Sequence, residues 1–298
     1  MPPVSACSTS RRRILFGVTG AILLPSVSGA CHAGVPQDFA AELEEKIGGR
    51  LGLFALDTES GKRLEHRADE RFPMCSTFKW ALAAATLERV DKSELALTDR
   101  VQFTRDALLD YAPVAARNLH RGFLSIQELA SAAVTVSDNT ATNLLLSRLG
   151  GPGAVTSFAR SHGDNITRLD RNEPSLNTNQ PDDPRDTTSP RAMVGLMQSV
   201  LCGTALKSNS KRRLLRWLLD CETGDRRLRA GLPKHWSVGD KTGTGPGRTV
   251  KDVAIAIPPK RRPILIALYL RGSTAETDTL EAAHAAVAEW VASTFVKS

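Results

Sequence analysis

A serine hydroxyl becomes a useful nucleophile only when a neighbouring base takes its proton, and Ser76-Thr77-Phe78-Lys79 offers such a pair. On a helix, residues i and i+3 share a face, so the Lys79 amine would meet the Ser76 hydroxyl. Pro73 and Cys75 just upstream fit a helix that begins near Ser76. The hydroxyl would then lie beside free backbone N–H groups able to stabilise an oxyanion. The pattern alone is common, and Ser208 to Lys211 repeats it. Ser137-Asp138-Asn139 precedes a helical run and reads first as an N-cap. The same geometry would also let a serine hydroxyl shuttle a proton and an asparagine amide hold a substrate amide. Lys241-Thr242-Gly243-Thr244-Gly245 reads as a strand ending in the turn Gly245-Pro246-Gly247. As a cleft wall it would offer Lys241, Thr242 and Thr244 to a carboxylate, with Gly243 letting a ligand approach the backbone. In Arg171-Asn172-Glu173-Pro174-Ser175-Leu176-Asn177, Glu173 is a candidate base for activating water, with Asn177 helping to hold that water. The Glu173-Pro174 bond is a candidate cis peptide.

These residues need elements to position them. Gln37 to Ile47 reads as a helix, Arg50 to Asp57 as a strand, and Lys62 to His66 as its hairpin partner across Thr58-Glu59-Ser60-Gly61. A mostly helical stretch follows, with apolar residues at helical spacing in Phe78 to Ala85, Ile126 to Val134 and Ala141 to Leu149, the last stopping at Gly150-Gly151. Residues 171–190 are rich in Asn, Asp, Pro and Thr and read as a long surface loop, the kind that tends to be functional. Helices resume over Arg191 to Leu201 and Lys211 to Leu219. Strands are expected at Ser237 to Thr244, Asp252 to Ile257 and Pro263 to Leu270. Thr279 to Val296 closes as an amphipathic helix with Leu280, Ala283, Val287, Trp290 and Val291 on one side. The expected fold is an α/β two-lobe (α+β) arrangement. An antiparallel sheet flanked by helices is built from both chain ends, residues 34–67 and 219–298. An all-α lobe, residues 68–218, is inserted between, and the crevice between lobes is the natural ligand site.

Composition narrows the function. The 298 residues are 41% apolar, enough for a large core. Residues 1–33 read as a cleaved export signal: Arg11-Arg12-Arg13 stands before an apolar run from Ile14 to Val27 that is too short to span a membrane. The arginine pair points to the twin-arginine route, with cleavage after Ala30 or Ala33. Cys31 follows Ser-Gly-Ala without the usual leucine of a lipoprotein site, so lipidation is not expected. The formal charge is +7; without the three arginines of this segment, which holds no acid, about +4 remains. No basic block is interleaved with aromatics, which argues against nucleic acid as a partner. The six histidines are scattered without metal-ligand spacing, so neither a metal nor another cofactor is expected. A periplasmic address permits disulfides, yet sequence alone does not pair Cys202 with Cys221, and Cys75 has no evident partner.

Each motif is weak alone, but their order is specific. Ser-x-x-Lys, Ser-Asp-Asn, Glu-Pro-x-x-Asn and Lys-Thr-Gly follow one another with 61 residues from Ser76 to Ser137, 36 more to Glu173 and 68 more to Lys241. The set resembles the class A β-lactamases, and the likeness runs from about residue 38 to the end. It implies that Ser76 is the nucleophile, Lys79 a base or proton relay, and Glu173, through a water, the base for deacylation. Which of Lys79 and Glu173 starts acylation is left open. It implies that Ser137 relays a proton to the β-lactam nitrogen, and that Asn139 binds the side-chain amide. The N–H groups of Ser76 and Thr244 would form the oxyanion hole, while Lys241, Thr242 and Thr244 hold the carboxylate. Tyr111 would wall the cleft mouth, and Arg171 with Asp186 would close the base-bearing loop. A penicillin- and cephalosporin-hydrolysing periplasmic monomer is the implied whole, with no stable membrane association.

The chain also departs from that pattern. Many members carry an arginine on the strand after Lys-Thr-Gly, where this chain reads Thr249-Val250-Lys251-Asp252; Arg227 matches a position where others supply the charge. Carbapenem-hydrolysing members pair the cysteine before the nucleophile with one after Lys-Thr-Gly-Thr, and here that position is Gly245. Carbapenem hydrolysis is therefore not expected. A penicillin-binding DD-peptidase shares three of the motifs, but Glu173-Pro174 with Asn177 argues against it. Intact polar residues at every motif argue against a non-catalytic binder.

Overall fold

The computed structural model describes residues 37–296 apart from 179 and 181, so the expected export signal, Cys7 and Cys31 lie outside the described residues. Helix α1 (Gln37–Ile47) leads into strands β1 (Arg50–Asp57), β2 (Arg63–His66) and β3 (Phe72–Pro73). A 3₁₀ turn, Cys75–Phe78, runs into α2 (Lys79–Asp91). Then come β4 (Arg100–Gln102), α3 (Pro113–Arg117), β5 (Phe123–Ser125), α4 (Ile126–Thr135), α5 (Asn139–Leu149) and α6 (Gly153–Ser161). After a long loop follow β6 (Thr187–Thr188), α7 (Pro190–Met197), α8 (Ser208–Leu219) and α9 (Leu228–Gly231). The chain closes with β7 (Ser237–Gly245), β8 (Thr249–Ile257), β9 (Ile264–Arg271) and α10 (Thr277–Phe295). Among the described residues no helix is long and apolar enough to cross a membrane.

Strands from the two chain ends meet in one antiparallel sheet of order β2-β1-β9-β8-β7. The expected antiparallel sheet flanked by helices and built from both chain ends is therefore observed. Side chains alternate faces along a strand, and β9 shows the consequence. Leu265, Ala267 and Tyr269 join the apolar cluster that includes the helices α2 to α8, whereas Ile264, Ile266, Leu268 and Leu270 join the cluster with α1 and α10. A central strand covered on both faces must be apolar throughout, which is why this stretch shows no polar alternation.

Capping sets several helix ends. Ser125 and Glu128 form a reciprocal capping box on α4. Asp138 caps α5 by accepting from Ala141 N at 2.8 Å, and Gly150 ends that helix in the left-handed conformation (φ 95°). The other Asp138 oxygen accepts from Val114 N and Ala115 N at the start of α3, at 2.8 and 2.9 Å. One buried carboxylate thus serves two helix starts, where peptide dipoles and free N–H groups favour an anion.

Three expectations need correction. The helix expected to begin near Ser76 starts at Lys79, because Cys75–Phe78 winds more tightly as a 3₁₀ turn. Strand β8 begins at Thr249 rather than Asp252, since Lys251 and Asp252 are buried in it despite their polarity. The expected Arg191 to Leu201 helix is α-helical only to Met197 and then widens into a π turn. Trp290 lies on the expected side of α10, packed against the cluster of Leu280, Ala283, Val287 and Val291 and, half-buried, on Phe39 of α1 with ring centroids 5.2 Å apart. Cys75, Cys202 and Cys221 are all free, which answers the open question of a Cys202–Cys221 bond.

The loop between α6 and β6 is tied at its ends. Asp186, fully buried, accepts from the N–H groups of Asp170 and Arg171 at 2.7 and 3.0 Å and from Arg171 Nε at 2.6 Å. The expected Arg171–Asp186 pair is in place. Arg171→Ala would leave a buried carboxylate with only its two backbone donors. We expect it to lower unfolding stability by about 2–3 kcal/mol, below the usual range for a broken buried pair because those donors remain. Urea denaturation of the two proteins measures this, and equal midpoints would remove the clamp from the stability of the fold.

Candidate active site

The nucleophilic turn is shaped before any side chain acts. Cys75 is held at a left-handed φ of 44°. Thr77 donates twice to Met74 O, from N at 3.2 Å and from Oγ1 at 2.8 Å, and its hydroxyl lies 3.5 Å from Tyr269 Oη. Strand β7 packs directly on this turn. A Cβ at Gly243 would lie 2.8 Å from Met74 O and 3.2 Å from Thr77 N. Gly243 is thus a correction: its missing side chain makes room for the nucleophile's own turn, not for a ligand.

Ser76 Oγ donates to Glu173 Oε1 at 3.3 Å. The Lys79 amine, fully buried, lies 3.1 Å from the same oxygen and donates to Ser137 O (2.9 Å), Ser137 Oγ (3.3 Å) and Asn139 Oδ1 (2.6 Å). The helical-face argument had put Lys79 on the Ser76 hydroxyl. Among the described residues the lysine instead reaches Ser76 through Glu173. Burial pushes the Lys79 ammonium below the usual lysine range, and the Glu173 carboxylate opposes that shift.

Glu173 is placed by its backbone and its carboxylate. Asn143, one turn along α5 from Asn139, donates from Nδ2 to Glu173 O at 2.8 Å and accepts from Glu173 N at 3.0 Å. Asn177 Nδ2 donates to Glu173 Oε2 at 2.7 Å, and Asn177 Oδ1 is buried with no partner among the described residues. The Glu173–Pro174 bond is cis, as the sequence suggested.

Ser137 sits at φ 61°, and Asn139 N donates to Tyr111 O at 2.9 Å. Lys241 enters from the other side. Its Nζ donates to Ser137 Oγ at 3.2 Å and to Thr242 O at 2.9 Å, so the expected cationic edge stands behind Ser137, fully buried. Burial brings the Lys241 pKa down to about 8, with the Cys221 side chain pulling it up and Lys79 pushing it further down. Arg227, nearly buried, donates to Gly243 O (3.1 Å), Lys251 O (2.8 Å) and Thr244 Oγ1 (2.7 Å), which carries its charge beneath the end of β7.

These groups surround one cleft of about 280 Å³. Ser76, Tyr111, Ser137, Asn139, Glu173, Asn177, Arg227, Thr242 and Thr244 line it, while Lys79 and Lys241 lie fully buried behind it. Tyr111 is half exposed at its wall. Two contributors were missed in the sequence. Thr223 lines the cleft and bonds the Thr242 hydroxyl, but nothing around it suggested chemistry. Asn143 had a legible signal, since it shares a helix face with Asn139 four residues earlier. The second Ser-x-x-Lys copy, Ser208 to Lys211, opens α8, where Lys211 caps Gly203 O rather than activating a hydroxyl.

The chain is similar to known proteins. The pattern of the β-lactamase enzyme family matches residues 36–295. The β-lactamase Toho-1 of Escherichia coli is 43% identical over 263 residues, covering 87% of this chain and 90% of its own. A carbapenem-hydrolysing β-lactamase, KPC, of Klebsiella oxytoca is 43% identical over 249 residues, covering 83% and 85%. Among solved structures, the class A β-lactamase of the last common ancestor of Gram-negative bacteria (GNCA4) superposes with a TM-score of 0.84 at 52% identity, covering 86% of this chain and 98% of that one. The class A enzyme PenP of Rhodopseudomonas palustris gives the same TM-score at 47% identity, covering 87% and 98%. With the four motifs gathered around one cleft and the family pattern running almost the length of the chain, the protein belongs to the class A serine β-lactamases.

Proposed function

We propose that this cleft hydrolyses the β-lactam amide of penicillins and cephalosporins through an ester on Ser76. The observation that carries the reading is the Glu173 carboxylate, which meets Ser76 Oγ with one oxygen and Asn177 with the other. Glu173 Oε1 is the acceptor nearest to hand for the Ser76 proton, and Lys79 balances the charge beside it. As Ser76 Oγ adds to the lactam carbonyl, the N–H groups of Ser76 and Thr244 stabilise the oxyanion. Ser137, hydrogen-bonded to both lysines, passes its proton to the departing ring nitrogen and takes one back through Lys79, which draws it from Glu173 and leaves that carboxylate free again. Asn139 uses Oδ1 on Lys79, which leaves Nδ2 for the side-chain amide of the antibiotic. The hydroxyls of Thr242 and Thr244 receive the substrate carboxylate, with Lys241 and Arg227 supplying positive charge behind them. A water between Glu173 and Asn177 Oδ1 then gives its proton to Glu173 and adds to the ester, and Glu173 returns that proton to Ser76 Oγ as the acid leaves.

The export reading belongs to the same proposal. The arginine pair and short apolar run at the start of the chain support delivery to the periplasm as a cleaved, monomeric enzyme. The lobe reading does too: residues 34–67 with 219–298 would form one lobe and 68–218 the other. In support, the sheet strands come from both chain ends and α2 to α8 from between.

A chromogenic cephalosporin with intact-mass readout tests the mechanism. Wild type should turn over, whereas Glu173→Ala should acylate and then stall, with deacylation slower by about 10²–10⁴-fold. Wild type that acylates once and stops would instead make the chain a DD-peptidase-like acceptor. The Lys241 proton gives a second expectation. Its ammonium binds the carboxylate only while protonated, so kcat/KM should fall as pH rises through about 8. A profile flat to pH 10 would remove Lys241 from carboxylate binding.

A further inference from the structure

Strand β8 carries a lysine that the reaction does not use. In register, Lys251 lies between Gly243 of β7 and Tyr269 of β9, the two residues that face the nucleophile's turn. It is fully buried. Among the described residues its amine makes one hydrogen bond, to Cys75 Sγ at 3.4 Å, and no ion pair with a carboxylate. Arg227 and Arg271 are its charged neighbours, and both disfavour another cation. Burial pushes the Lys251 ammonium below the usual lysine range and the two arginines add to this, with Cys75 opposing. Cys75 is itself buried and in no disulfide. The strand on its open side gives way to it, since a Cβ at Gly245 would lie 2.7 Å from the sulfur.

We propose that Cys75 and Lys251 form a buried site of oxidative modification, in which dioxygen joins Sγ to Nζ through a single oxygen atom. The thiol S–H and one amine N–H break, and S–O and N–O bonds form. Dioxygen takes four electrons, two from sulfur and two from nitrogen. One of its atoms stays in the bridge and the other leaves as water with the two displaced hydrogens and no other product. Dioxygen is small and uncharged, and Cys75 adjoins Ser76, which lines the cleft. The thiol and the amine are each other's partner, so neither group has to be pulled from a competing bond. The product would tie β8 to the nucleophile's turn as a disulfide would, one residue away from Ser76. This inference stands on the geometry of the pair and does not depend on the proposed reaction.

The test is the intact mass of the full mature protein, purified without oxygen and then exposed to air. The expected result is a gain of one oxygen less two hydrogens, reversed by dithiothreitol. Peptide mapping should join the Cys75 peptide to the Lys251 peptide, with tryptic cleavage after Lys251 blocked. Cys75→Ser and Lys251→Met should each abolish the gain. If either variant fails to fold, the wild-type map decides alone. An unchanged mass, whole-oxygen gains confined to Cys75, or loss of two hydrogens without oxygen would each overturn the bridge.

Discussion

The buried contact between Lys79 and Glu173 is the constraint around which this molecule is organised. Both side chains are almost completely withdrawn from water. Removing two charges from water is expensive, and their mutual attraction offsets this only with good geometry and further hydrogen bonds. Those bonds are present. Ser137 and Asn139 accept from the amine, while Ser76 and Asn177 donate to the carboxylate. The residues that would touch substrate are therefore the same ones that make the buried pair tolerable. Displacing any of them costs the buried pair a hydrogen bond as well as the contact it makes.

That coupling explains why so much structure remote from the cleft is polar and buried. Asp138 takes no part in the chemistry, yet its carboxylate caps α5, holds the start of α3, and so sets Ser137 and Asn139 on either side of it. Asp186 does the equivalent for the loop that carries Glu173. Asn143 then joins the two systems, since it rides on the helix capped by Asp138 and holds both backbone groups of Glu173. Glu173 thus rests on two tied segments and one asparagine rather than on the loop's own rigidity.

The motifs were legible because their residue types and order are specific, and the sheet because apolar runs bounded by turn residues betray strands. What stayed hidden was orientation. Ser76 and Lys79 share a face in a 3₁₀ turn as in an α-helix, yet the lysine amine turns to Glu173, Ser137 and Asn139. Gly243 reads equally well as clearance for a ligand or for a neighbouring segment, and only packing distinguishes them. The start of β8 was misplaced because Lys251 and Asp252 look solvent-facing. Their partners, Cys75 Sγ and Leu228 N, are more than 170 and 20 residues away. Thr223 shows the limit most plainly: its bond to Thr242 crosses between elements and leaves no trace in local spacing.

The charges around the cleft settle what kind of ligand completes it. Lys79, Lys241 and Arg227 converge from three elements, and Glu173 is the carboxylate that faces them at the cleft itself. Two of those cations share the Ser137 hydroxyl and lower one another's affinity for protons. Without an anion, this arrangement holds desolvated positive charge against its own repulsion. An anionic substrate relieves that repulsion as it binds, and it does so in a water-poor site where each charge counts for more. The carboxylate therefore serves as more than a handle for recognition. In the proposed reaction it would also act on Ser137, which stands between the two lysines and would deliver the proton to the leaving nitrogen.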